Sequence, residues 1–157
     1  IAAFSASTNG LDFGVQAVID PARRLTLGLD IRDAGLNVQV NDAPQSDPLP
    51  TRIHLGGSYL VPGIEKSIPD AELYLSAEAV STSSFGATAL RAGGELAYKK
   101  QFFLRLGYAG ASGDGTGASI GLGVKRGGLS MDFARGFGGF SSDAGKPPTY
   151  LTLRFQF

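Results

Sequence analysis

The feature that most constrains this chain is an apolar residue at every second position, repeated in segment after segment. In Thr149 to Phe157, Leu151, Leu153, Phe155 and Phe157 alternate with Tyr150, Thr152, Arg154 and Gln156. Successive side chains of an extended strand point to opposite sides, so the pattern gives one oily face and one polar face. Wound as a helix, the same residues would scatter around the axis.

The alternation predicts nine such strands. After a loop end at Ile1 to Gly10 they begin near Leu11, Leu25, Arg52, Ala71, Ala89, Phe102, Ala118, Leu129 and Thr149. Their connections alternate as well. Asp20-Pro21-Ala22-Arg23, Lys99-Lys100 and Arg126-Gly127-Gly128 are short, with Pro62 to Pro69 somewhat longer on the same side. On the other side Asp33 to Pro50, Ser81 to Gly86, Ala111 to Thr116 and Phe137 to Pro148 are polar and mostly longer. Strands near 9–11 residues, with short turns at one end and longer loops at the other, are the pattern of an antiparallel transmembrane β-barrel.

Composition narrows the alternatives. The chain of 157 residues fits one domain, and 14 basic against 14 acidic residues give no field to attract nucleic acid. With no cysteine and a single histidine, His54, thiol chemistry and histidine-rich metal sites have no donors, and no cofactor is expected. No run of apolar residues is long enough for a transmembrane helix, which leaves strands as the way to cross a bilayer. The 23 glycines fit tight turns and close packing in a curved sheet. A first residue of Ile rather than Met suggests a processed or shortened beginning.

The two faces carry different residue types. One set is Leu, Ile, Val, Phe, Ala and Gly with almost no charge. The other holds Asp12, Asp30, Arg32, Arg52, His54, Glu72, Glu78, Arg91, Glu95, Arg105, Lys125, Asp132 and Arg154. Tyr59, Tyr98, Tyr108 and Phe137 fall near strand ends, where aromatic girdles of membrane barrels lie. The expectation is therefore that the charged set faces a lumen and the oily set faces lipid. A soluble sandwich or lipocalin-like barrel would bury the oily set instead.

Three stretches resemble the carboxyl-terminal half of the PorV/PorQ family of outer-membrane barrels, related in architecture to FadL. They are Gly10 to Gly35, Leu49-Pro50-Thr51-Arg52-Ile53-His54-Leu55-Gly56-Gly57-Ser58-Tyr59, and the tail from Phe103-Leu104-Arg105-Leu106-Gly107-Tyr108 through Gly121-Leu122-Gly123-Val124-Lys125-Arg126-Gly127-Gly128 to Phe157. The resemblance implies a barrel of about fourteen strands, of which residues 1–157 would be the last nine or so. It also implies a non-enzymatic binding or scaffold subunit in the outer membrane of a Gram-negative-type bacterium, with protein partners in type IX secretion-like export or an envelope complex. The alternatives are a FadL-like transporter of small hydrophobic molecules and a small self-contained barrel of eight to ten strands, the latter needing Ile1 to Thr8 as a strand.

Other candidate sites have plainer readings. Gly113-Asp114-Gly115-Thr116-Gly117 lacks the Lys-Ser/Thr ending of a phosphate loop and reads as a loop tip, with one carboxylate too few for a dedicated calcium site. His54, near Arg52 and Ser58, reads as a solvated or hydrogen-bonded lumen histidine rather than a catalytic one. The charged set reads as mutual neutralisation or as a selectivity surface. Phe137 and Phe140 stand in the last loop as a partner-binding patch or a cover over the barrel mouth.

Overall fold

A computed structural model describes residues 6–7, 9–35, 38–40, 46–47, 51–82, 88–111, 116–137 and 148–156. Twelve strands and one helical turn occupy them: β1 (Ala6–Ser7), β2 (Gly10–Val18), β3 (Leu25–Gly35), β4 (Val38–Val40), β5 (Ser46–Asp47), β6 (Arg52–Val61), α1 (Ile64–Ser67), β7 (Ala71–Thr82), β8 (Thr88–Tyr98), β9 (Phe102–Ala111), β10 (Gly117–Arg126), β11 (Leu129–Phe137) and β12 (Thr149–Phe155).

Nine of these strands make one all-antiparallel sheet, in the order β2-β3-β6-β7-β8-β9-β10-β11-β12. They are the nine that alternation predicts, each hydrogen-bonded to the next long strand along the chain. The sheet is open: among the described residues β2 and β12 each have a neighbour on one side only. The register is regular except for an irregularity between Leu11 and Phe13, where Asp12 Oδ1 accepts the Asp33 N–H at 2.9 Å. Asp33 itself is left-handed there, with φ of 56°.

Several boundaries differ from the sequence reading. Ala6–Ser7 is not loop but pairs with Val40 and Gln39, and β4 pairs in turn with β5, giving a small three-stranded sheet at the loop end. The supposed connection from Asp33 therefore contains two short strands, and β3 runs on to Gly35. Likewise β7 runs to Thr82 and β9 to Ala111, and a single helical turn, α1, fills the longer connection on the short-turn side. Elements of two to four residues have too few positions to show a period, which is why alternation misses them. Because Ala6–Ser7 pairs in the small sheet, it does not add a tenth strand to the large one.

The short-turn end is knit together by backbone hydrogen bonds from one turn to the next. Leu60 donates to Arg24 O at 2.9 Å, Lys99 to Asp70 O at 2.8 Å, Lys125 to Gln101 O at 2.7 Å and Gln156 to Gly128 O at 2.8 Å. In the first turn Asp20 Oδ1 accepts both the Leu25 and Arg24 N–H groups at 2.7 Å. Those bonds favour the carboxylate, with Leu25 the larger cause, and hold Asp20 below its ordinary value. The turn after β10 reaches a left-handed backbone with glycine, Gly127 at φ of 58°. The turn after β8 does so with Lys99 and Lys100, both at φ of 54°, although a side chain there costs about 1 kcal/mol per residue.

The sheet has almost no core. Among the described residues only Ala71, Val80 and Ala97 are buried apolar side chains. In β11, Leu129, Met131, Phe133 and Phe137 are exposed whereas Ser130, Asp132, Ala134 and Gly136 are half-buried. The pattern of a water-soluble sheet is thus inverted. Total accessible surface is 11533 Å², against about 7,500 Å² for a compact monomer of this mass.

Candidate functional site

Cross-strand pairing carries each alternating face from strand to strand, so register decides which residues share a side. Asp132 lies opposite Gly123, Gly121 opposite Arg105, Arg105 opposite Glu95, Arg91 opposite Glu78, and His54 opposite both Val80 and Asp30. Arg32 meets Arg52, Glu72 meets Ala97, Lys125 meets Ser130, and Ser130 meets Arg154. Asp12 falls on this face by its place between Leu11 and Phe13. The entire charged set singled out above therefore shares one side of the sheet.

Two clusters organise that side. Arg105, on β9, binds Glu95 Oε2 on β8 through Nε at 2.6 Å and Asp132 Oδ1 on β11 through Nη1 at 2.5 Å. Strands lie about 4.8 Å apart, so the second bond joins side chains from strands about 10 Å apart and passes over β10. It can do so because β10 presents glycine at the crossing. A Cβ on Gly123 would lie 2.6 Å from Asp132 Oδ1, 3.0 Å from Arg105 Nη1 and 3.2 Å from Phe103 Cβ, and one on Gly121 would sit 3.4 Å from Arg105 Cβ. The glycines thus serve the bridge rather than a turn. The Arg105 guanidinium also stacks over Phe103, 5.2 Å from the ring centre.

Glu78 is the hub of the second cluster. Its Oε1 meets His54 Nδ1 at 2.8 Å and its Oε2 accepts from Arg91 Nη1 at 3.2 Å, joining β6, β7 and β8. Gly14, Gly28 and Gly56 leave an open basin of about 500 Å³ beside it, bordered by Gln16, Asp30, Ser58 and Glu78. His54 is 14% exposed, and its Nε2 is buried without a hydrogen-bond partner among the described residues. The basin holds a histidine with an orienting carboxylate, but among the described residues no hydrogen bond joins Ser58 to His54. Orientation is present; an activated nucleophile is not in contact with it.

Smaller pairs complete the face. Arg52 reaches Asp33 Oδ2 at 2.6 Å, Arg32 reaches Asp30 Oδ1 at 2.5 Å, and Lys100 reaches Glu72 Oε1 at 3.3 Å while Tyr74 Oη donates to Glu72 Oε2 at 3.0 Å. Lys125 and Arg154 border a small depression with Ser130, Asp132 and Gln156. No group of three or more His, Cys, Asp or Glu side chains among the described residues has the geometry of a metal site. The side-chain pairs between non-adjacent strands were not legible in sequence, because alternation assigns a face and not a partner.

On the opposite side Leu11, Phe13 and Val15 are 73%, 78% and 64% exposed, and Leu55, Leu106, Leu122 and Leu153 are each more than half exposed. Tyr59 and Tyr98 stand on this face toward the short turns, and Tyr108 and Phe137 toward the loops, where both pair with Ala118. Phe137, expected in the last loop, is instead the final residue of β11, because its backbone continues the pairing with β10; it is exposed and lies under the Arg135 guanidinium, 5.7 Å away. Phe140 and Asp114 lie outside the described residues. Comparison with protein-family models, with curated proteins and with solved structures finds no match.

Proposed function

We propose that this chain forms part of an outer-membrane β-barrel whose oily face meets lipid and whose charged face lines the interior. The observation that carries the reading is the inverted sheet: exposed Leu, Phe and Val on one side, cross-strand ion pairs on the other. Magnitude supports it. With about half of each side chain in water, ten of them forgo roughly 8–15 kcal/mol of burial, comparable to the whole 5–15 kcal/mol of a typical domain. Some apolar medium must cover this face. Strands of mostly 9–12 residues, flanked on the oily face by aromatic side chains toward both ends, suit the hydrocarbon layer of a bilayer.

Strand direction adds a constraint on closure. In an antiparallel meander of nine strands, β2 and β12 run the same way, so joining them directly would create a parallel pair. A wholly antiparallel barrel needs an odd number of further strands between those edges. The about fourteen strands implied by the PorV/PorQ resemblance satisfy that parity.

Within this reading the protein is a non-enzymatic binding or scaffold subunit of PorV/PorQ type, engaged with protein partners in export or an envelope complex. An interior crossed by Arg105, Glu95, Asp132, Glu78 and Arg91 favours that role over passage of small hydrophobic molecules, which would have to move along paired charges. The test is fractionation of cells expressing the full natural protein, combined with gel mobility before and after heating. Outer-membrane recovery with a heat-dependent mobility shift is expected. Recovery as a soluble protein with no shift would refute the barrel.

A further inference from the structure

The charges are not evenly divided between the two ends of the sheet, and the short-turn end concentrates cations. Arg23, Arg24, Lys66, Lys99 and Lys100 stand in the connections there, with Arg126 at the end of β10, against Asp20, Glu65 and Asp70 in the connections. Two of those acids are engaged locally. Asp20 caps its own turn, and Glu65 Oε2 accepts the Gly63 N–H at 3.0 Å.

The backbone shows that these cations are held at a cost. Four non-glycine residues at this end have positive φ, namely Arg23, Asp70, Lys99 and Lys100, and three of them are cationic. Glycine or asparagine would fill a left-handed turn without strain, as Gly127 does one hairpin away. Strain kept where a better residue is available points to a use for the side chain.

The placement of the two lysines indicates what that use is. Lys100 turns to the polar face and pairs with Glu72. Lys99 turns the other way, its Nζ 5.3 Å from the centre of the ring of Tyr98, which pairs across the hairpin with the exposed Phe102. A cation over an aromatic ring at the border of an oily face matches the junction between acyl chains and headgroups. The turn-to-turn hydrogen bonds hold this border in fixed geometry.

We propose that the short-turn rim binds anionic phospholipid headgroups, with Lys99 as its principal cation and Arg23, Arg24 and Arg126 at other turns of the same rim. The inference rests on the barrel reading above. Positive charge meets phosphate, while Tyr98 and Phe102 lie at the glycerol level.

The experiment uses the full natural chain and the double variant Lys99→Asn/Lys100→Gly, which supplies a preferred dipeptide for a left-handed hairpin turn and so preserves folding. Insertion is scored by heat-dependent mobility in phosphatidylcholine vesicles. Lipid preference is scored by native mass spectrometry after exposure to equal amounts of phosphatidylglycerol and phosphatidylcholine. The expected result is insertion by both proteins, with a phosphatidylglycerol preference in the parent that falls by about fivefold in the variant, the share of the single headgroup-facing Lys99. No preference in the parent, a preference undiminished in the variant, or full displacement by an equal concentration of inorganic phosphate would overturn the proposal while leaving the barrel standing. Failure of the parent to insert in any vesicle would overturn both.

Discussion

The two faces of the sheet differ in how they are stabilised, and the difference separates what needs an environment from what does not. Polar-face groups find partners within the chain: Arg105 joins β8, β9 and β11 through two carboxylates, and Glu78 joins β6, β7 and β8 through His54 and Arg91. Among the described residues the oily-face groups have no such partners, since the sheet is one layer thick and α1 packs beside it against β7. One face is completed by the chain's own charges, whereas the other, in the function proposed above, is completed by lipid.

The comparison is broken most severely by charge on the oily side. Leu122, at the middle of β10 between Leu104 and Phe133, is 53% exposed. Leu122→Arg should destabilise the folded barrel in lipid by roughly 2–4 kcal/mol, measured by reversible unfolding from vesicles. The same change on a water-facing strand would cost almost nothing, so a null result would reassign the face.

Next in size are changes at the crossing over β10. Gly123→Val places atoms where Asp132 Oδ1 and Arg105 Nη1 now meet, and should cost about 1–3 kcal/mol by forcing the bridge apart. Arg105→Met leaves Glu95 and Asp132 facing each other without their cation. Because Arg105 is 39% exposed, screening reduces the penalty from that of a buried pair to about 1–2 kcal/mol. Combining Arg105→Met with Asp132→Asn should cost less than the sum of the single changes; strict additivity would mean that the two side chains do not interact.

The smallest effect lies at the rim and sets the turn apart from both faces. Since Asp20 is held below its ordinary value of 3.8 in the folded chain, its contribution is complete above that value and is lost as pH falls through the lower, folded one. Protection of the Arg24 and Leu25 amides, measured against an intrinsic exchange that itself slows on acidification, should therefore fall as pH drops through that lower value. Asp20→Asn should remove that dependence, leaving exchange elsewhere in β3 unchanged.

Much of the fold was legible in sequence because a strand's face depends on nothing beyond the parity of its residues. Leu129 to Ala134 reads correctly position by position, as do the turns at Asp20, Lys99 and Gly127, whereas Phe137, read as the start of the last loop, ends β11. Parity is silent on partners: it puts Arg105 and Asp132 on one side but cannot show that Gly121 and Gly123 open a path between them. It is silent too on elements without a period, which is why the pairing of Ala6–Ser7 with β4 and the helical turn at Ile64 were missed. The strain at Lys99 and Lys100 was hidden for a different reason, since a two-residue turn is readable from spacing whereas its handedness is a property of the backbone.

The absence of cysteine allows the inside-out arrangement to be tested directly. Single cysteines placed in turn from Ser130 to Gly136, each carrying a nitroxide, can be compared for collisions with oxygen, which concentrates in lipid, and with a water-soluble nickel chelate. Labels at positions 131, 133 and 135 should favour oxygen, and those at 130, 132, 134 and 136 the chelate, with a period of two. Reversed phase, or equal chelate access at every position, would mean that the oily side of this sheet does not face a bilayer.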